Sequence, residues 1–124
     1  MNKLKDKVEV FNRLITTDQT VKAMELFYAE EVELQENEAV PTTGKQNCIS
    51  REKFLLGKFG LALVITKQAI DEANQGVFSE YEMTITNKNK EDQKLIYRTE
   101  ISVQQWENGR VKKEKFYYNE AKSL

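Results

Sequence analysis

The chain has 124 residues, the size of one domain, with 19 Lys plus Arg against 20 Asp plus Glu and a formal charge of −1. Such a length removes roughly two thirds of the unfolded surface from water without help from disulfides or metals, and so balanced a charge gives no reason to expect nucleic acid or an anionic membrane as partner. There is no histidine and a single cysteine, Cys48, which excludes Ser-His and Cys-His nucleophile pairs, histidine metal ligands, an intramolecular disulfide and a cysteine-based zinc site.

The most apolar uncharged run, Phe59 to Ile65, falls far short of the roughly 20 residues a bilayer requires, so no membrane partner is expected. Lys3 and Lys5 are followed by no apolar stretch of the secretory kind, and the free cysteine suits a reducing cytoplasm, the expected location. Without repeats or linker-like segments, residues 1–124 read as one domain.

In chain order, Leu4, Val8, Phe11, Leu14 and Ile15 recur at spacings of three and four and predict a first helix. Thr16-Thr17-Asp18 offers an N-cap for a second, with Val21, Met24, Phe27 and Tyr28 on one side and an end near Ala29. Val32 to Asn37 alternates as a half-buried strand, and Asn37 to Gly44, with Pro41, is a loop. Lys45 to about Lys58 is a third helix anchored by Ile49, Phe54 and Leu55. Strands follow at Ala62–Ile70 and Val77–Ile85, joined by a turn at Asn74-Gln75-Gly76, then a polar loop from Asn87 to Lys94. Leu95–Trp106 and Arg110–Tyr118 form a last pair around Asn108-Gly109, the strongest short signal for a two-residue hairpin turn.

That turn sets Glu107 against Arg110, Trp106 against Val111, Val103 against Glu114, Ile101 against Phe116 and Thr99 against Tyr118. The face carrying Tyr97, Thr99, Ile101, Val103, Glu114, Phe116 and Tyr118 is mostly apolar and is expected to face the core. Glu114 then lies among hydrophobic neighbours, and on the first strand Glu36 shares a face with Val32 and Leu34. Two inward carboxylates are costly unless paired, and burial raises their pKa toward that of a general acid or base. Glu36 has an alternative role as a strand-end carboxylate bonded by a loop amide near Pro41 or by Arg51. Glu114 has one as a structural partner of Tyr97, Tyr118 or Arg98. Tyr28, Tyr81, Tyr97 and Tyr118 line either a pocket or a core with wet hydroxyls. The spacing of Glu30, Glu31, Glu33 and Glu36 does not converge on a metal, so no metal or cofactor is expected.

Three helices followed by a mostly antiparallel sheet, with Leu26-Phe27-Tyr28-Ala29-Glu30-Glu31-Val32, Gly44-Lys45, Trp106-Glu107-Asn108-Gly109-Arg110-Val111 and Glu114-Lys115-Phe116-Tyr117-Tyr118-Asn119, resemble the nuclear transport factor 2-like superfamily, and its SnoaL-like group most. The resemblance runs from about Lys3 to Asn119. It implies an α+β, cone-shaped fold: a curved mixed sheet wrapped round three N-terminal helices. In ketosteroid isomerases of that superfamily a first-strand carboxylate is the base, and the corresponding position here is Glu36. Their first-helix tyrosine falls near Phe11, which cannot donate a hydrogen bond. Members commonly dimerise through the outer sheet face, where the hairpin register puts Gln104, Trp106 and Tyr117; a homodimer through these residues is expected.

Two functions fit. One is a domain holding a small apolar or cyclic carbonyl-type molecule in an internal pocket with Tyr28, Tyr81, Tyr97, Glu114, Phe116 and Tyr118 on its wall. The other is an isomerase, cyclase or dehydratase in which Glu36 takes a proton from carbon next to a carbonyl. A partner-binding adaptor is a third and weaker option.

Overall fold

The computed structural model describes residues 3–88 and 95–119. Helices α1 (Leu4–Ile15), α2 (Thr20–Phe27) and α3 (Lys45–Lys58) lie against one six-stranded sheet of β1 (Tyr28–Glu36), β2 (Thr42–Thr43), β3 (Phe59–Asp71), β4 (Gly76–Asn87), β5 (Leu95–Glu107) and β6 (Arg110–Tyr117). The strand order is β2-β1-β6-β5-β4-β3. Only β1 and β6 run parallel; every other neighbouring pair is antiparallel. The sheet does not close on itself, which leaves the interior accessible at one end. This is the expected α+β cone.

The periodic residues of α1 are all buried: Leu4, Val8, Phe11, Leu14 and Ile15. Its first amides are capped from far along the chain, Leu4 N and Lys5 N donating to the Glu72 carboxylate at 3.3 and 3.0 Å. A carboxylate there satisfies orphan donors and complements the positive end of the helix dipole. Thr16 and Thr17 do not cap α2. Their hydroxyls donate back to the carbonyls of Asn12 and Arg13 and so close α1. Asp18 takes φ 62°, and α2 starts at Thr20 behind Gln19. β1 begins at Tyr28, four residues before the alternation becomes visible, so the aromatic side of α2 passes straight into a strand. In α3, Ile49 is buried and Leu55 half-buried, but Phe54 points outward at 61% exposure; Cys48 takes the inner position instead.

The closing hairpin corrects the predicted register. Asn108 and Gly109 have φ 52° and 78°, as the two-residue turn demands, and Glu107 faces Arg110 while Trp106 faces Val111. A bulge then intervenes: Gln105 faces Lys113, so Lys112 is the extra residue on β6. From there Gln104 pairs with Glu114, Val103 with Lys115 and Ile101 with Tyr117. One inserted residue brings both Val111 and Glu114 to the core side of β6, where strict alternation allows only one of them. The core side of β5 is therefore Glu100, Ser102, Gln104 and Trp106, all buried, while Tyr97, Thr99 and Ile101 face out.

Trp106 is not on the outer sheet face, where the hairpin register puts it. Trp106 is 1% exposed and sits at the centre of the packed end of the cone, with ring centroids 6.0 Å from Phe11 and 5.7 Å from Phe27. Val8, Val77 and Val111 complete this end.

Candidate functional site

The opposite end of the cone is not filled by the described residues. A cavity of about 340 Å³ lies between α1, α2, α3 and the inner sheet face. Leu55, Leu56, Phe59, Leu61, Leu63 and Ile85 are each only half-buried, because they line this space. Its apolar walls continue inward through Leu34, Met24, Phe11 and Ile15.

The cavity floor is polar. Glu114 on β6 accepts hydrogen bonds from Tyr28 Oη, from Ser102 Oγ at 2.9 Å and from Gln104 Nε2 at 2.8 Å. Gln104 Oε1 in turn accepts from Trp106 Nε1 at 2.9 Å, so an unbroken chain of bonds links the packed indole to the carboxylate. Burial raises the Glu114 pKa, and the three donors act against it. The Tyr28 phenol is pushed well up by burial and by the Glu114 charge. Burial likewise pushes the Tyr81 phenol far up; Glu114 adds to the effect, while Ser102 and Ser79 beside its hydroxyl oppose it.

Two ion pairs flank the floor. Arg51 on α3 donates to Glu36 on β1. Arg98 Nε donates to Glu100 at 2.8 Å, both on β5, and the Arg98 guanidinium lies 4.0 Å over the Tyr118 ring. Burial raises the Glu100 pKa against the pull of Arg98. Glu52, next to Arg51 on α3, also lines the cavity. Its pKa is raised by burial, lowered by Arg51, and raised again by the charges of Glu114, Glu36 and Glu100.

Of the residues expected at a pocket, Tyr28, Tyr81, Glu114, Phe116 and Tyr118 lie on the cavity wall, and so does Glu36. Tyr97 does not; at 73% exposure it stands on the outer sheet face, because β5 is inverted relative to the predicted register. Gln104 and Trp106 are interior and leave Tyr117, at 44% exposure, as the one outward member of the expected interface trio. Glu114 is bonded by Tyr28, Ser102 and Gln104 rather than by Tyr97, Tyr118 or Arg98.

Glu52 and Glu100 are not among the sequence candidates, and Arg98 is there only as a possible partner of Glu114. Glu52 had a readable signal: with Cys48, Ile49, Leu55 and Leu56 it shares the three-and-four spacing of one helical face. Glu100 and Arg98 follow from Trp106 by alternation once the indole is placed inside.

The chain has the nuclear transport factor 2-like fold, in the form seen in SnoaL-like proteins. No family model and no curated protein matches the sequence, but many solved structures share the fold. A Mesorhizobium loti protein assigned by name to the SnoaL-like polyketide cyclases is 15% identical, with a TM-score of 0.79 over 95% of this chain and 100% of that one. A nuclear transport factor 2-like protein of unknown function from Burkholderia pseudomallei is 11% identical, with a TM-score of 0.79 over 96% and 92%. An epoxide hydrolase from M. tuberculosis is 13% identical, with a TM-score of 0.74 over 91% and 80%. No helix among the described residues is long and apolar enough to cross a membrane.

Proposed function

We propose that this chain is a small-molecule-binding domain that holds a largely apolar ligand in the open end of the cone. The observation that carries this reading is the 340 Å³ cavity, whose apolar wall ends on a few fixed polar groups. Its volume falls in the range of small-ligand sites. Half-buried leucines that face inward stand to lose further apolar surface to water only if something enters. The uncharged ketone fluorophore prodan is a suitable probe. Its emission should shift to the blue and saturate on titration with the protein. The Leu63→Trp variant, which fills the cavity, should weaken the affinity by about tenfold or more while keeping its circular dichroism. Equal affinity for both proteins rejects the cavity as the site.

Catalysis is the second and weaker reading: Glu36 stands on the cavity wall, but it is engaged by Arg51, the structural role that the sequence left open. Glu36 would accept a proton from carbon next to a carbonyl, as in an isomerase, cyclase or dehydratase, with Arg51 holding its carboxylate in place. Proteins assigned by name to the polyketide cyclases and an epoxide hydrolase among the structural neighbours suit chemistry in such a cavity. Phe11, on the wall where an oxyanion donor would help, supplies none. Equal enone isomerisation rates for the parent and Glu36→Gln would reject Glu36 as base for that substrate class.

Self-association is part of the proposal. The outer sheet face carries Val64 on β3, Phe78 on β4, Ile101 on β5 and Tyr117 on β6, all exposed. A two-fold axis through this face would cover these side chains in both copies. Sedimentation equilibrium should give a dimer mass that Ile101→Lys returns to monomer; a monomer for the parent chain rejects it. The buried free thiol of Cys48 suits a reducing cytoplasm as the place of action.

A further inference from the structure

The cavity wall is unbalanced in charge. Five carboxylates line it, Asp18, Glu36, Glu52, Glu100 and Glu114, against two guanidiniums, Arg51 and Arg98. Each guanidinium is taken by one carboxylate, Arg51 by Glu36 and Arg98 by Glu100. Glu114 is met by three neutral donors on the cavity floor. Asp18 and Glu52 accept no hydrogen bond or ion pair from any described residue, but Asp18 is exposed in the turn before α2, whereas Glu52 is half-buried and faces the cavity. Its position in the apolar arc of α3, with Leu55 and Leu56 one turn on, puts a carboxylate without a bonded partner beside a greasy wall. Among the described residues no three acidic or sulfur ligands are grouped so as to hold a metal ion.

We propose that the cavity selects a small amphipathic amine, with its ammonium group against Glu52 and its apolar body along Leu55, Leu61 and Leu63. The inference rests on the cavity being a ligand site and adds the class of ligand. Three physical points support it. An ammonium supplies the hydrogen-bond donor and the counter-charge that Glu52 lacks, and a bond to a charged partner in a partly desolvated site is worth more than a neutral one. A cation also relieves the repulsion that Glu52, Glu100, Glu36 and Glu114 exert on one another across the cavity. An anion of the same shape faces the same carboxylates and finds no free counter-charge, because each guanidinium is already held by a carboxylate.

The pH dependence has a definite sign. Glu52 is faced by Glu36 from β1, by Arg51 from its own helix, by Glu100 with Arg98 from β5 and by Glu114 from β6. Burial and the three glutamates hold its pKa up against Arg51. Amine affinity therefore rises as pH increases through that raised value, where Glu52 becomes charged, and falls again near the amine's own pKa of about 10.

Three probes of one shape test the proposal: 4-phenylbutylamine, 4-phenylbutan-1-ol and 4-phenylbutanoate, titrated into the ¹⁵N-labelled full chain and followed by amide chemical shifts. At about pH 8 and low salt the amine should bind about tenfold or more tightly than the alcohol, and the carboxylate most weakly. In Glu52→Gln, an isosteric change, the amine's advantage should shrink to about twofold with the alcohol's affinity unchanged; Glu52→Asp should keep most of it. Equal binding of amine and alcohol by the parent chain, or an advantage that survives in Glu52→Gln, overturns the amine assignment. If prodan binds and none of the three probes does, the assignment falls and the cavity reading stands. If prodan fails as well, both fall.

Discussion

The two ends of the cone are built from the same kinds of side chain and behave differently. At the packed end, Trp106, Val8, Val77 and Val111 are buried almost completely. At the open end, Leu55, Leu61, Leu63, Met83 and Ile85 also point inward, yet each stays partly exposed. The same amphipathic pattern thus gives core in one place and cavity wall in the other. The difference arises from what lies opposite. α1 and α2 press Phe11 and Phe27 onto Trp106, whereas among the described residues no ring-to-ring contact covers the far ends of β3 and β4.

Truncation should separate the two ends most sharply. Trp106→Ala removes the centre of the aromatic cluster and the donor to Gln104, and should cost about 3–5 kcal/mol of unfolding free energy. Leu61→Ala, on a wall that already borders empty space, should cost about 1 kcal/mol. Urea unfolding of the two variants measures the contrast, and similar losses would mean that the open end is as well packed as the other. Next in size is Glu114→Ala. It leaves the donors of Tyr28, Ser102 and Gln104 facing a hole and should cost about 2–4 kcal/mol. Glu114→Gln keeps the shape and should cost less.

The same carboxylate gives a pH test of smaller amplitude. Burial raises the folded-state pKa of Glu114 above its unfolded value, so the folded chain holds the proton more tightly. Its contribution to stability is fully present below the unfolded pKa of about 4.3, and is lost as pH rises from there through the raised value. Glu114→Gln should therefore gain stability relative to the parent chain across that window, by up to about 1.4 kcal/mol per pH unit, and level off above it. Urea midpoints of both proteins from about pH 4 to pH 8 read this difference, and a difference that does not change with pH contradicts it. The smallest effect belongs to the hairpin. Gly109 has φ 78°, and a Cβ there would come 2.9 Å from Lys7 Cε, so Gly109→Ala should cost about 1 kcal/mol.

Where the sequence was legible, periodicity made it so. All five spaced apolar residues of α1 are buried, α3 spans the expected residues, and Val32, Leu34 and Glu36 share the inner face of β1. What alternation cannot see is an inserted residue. Lys112 shifts β6 by one, and propagating the turn register without it turned all of β5 inside out. Hence Tyr97 left the wall, Trp106 and Gln104 left the surface, and Glu100 went unnoticed. Composition pulled the same way: Glu100, Ser102 and Gln104 look like a solvent face, and only the hydrogen bonds to Glu114, Trp106 and Arg98 make their burial tolerable. The polar loop expected from Asn87 to Lys94 lies mostly outside the described residues.

The central claim is that the open end of the cone is a ligand cavity and the packed end is not. Nuclear Overhauser effects between bound prodan and the protein's methyl groups test it most directly. The account predicts contacts to Leu61, Leu63, Met83 and Ile85 and none to Val8, Val77 or Val111. Contacts from prodan to Val64 and Ile101 on the outer sheet face, with none inside, would contradict it.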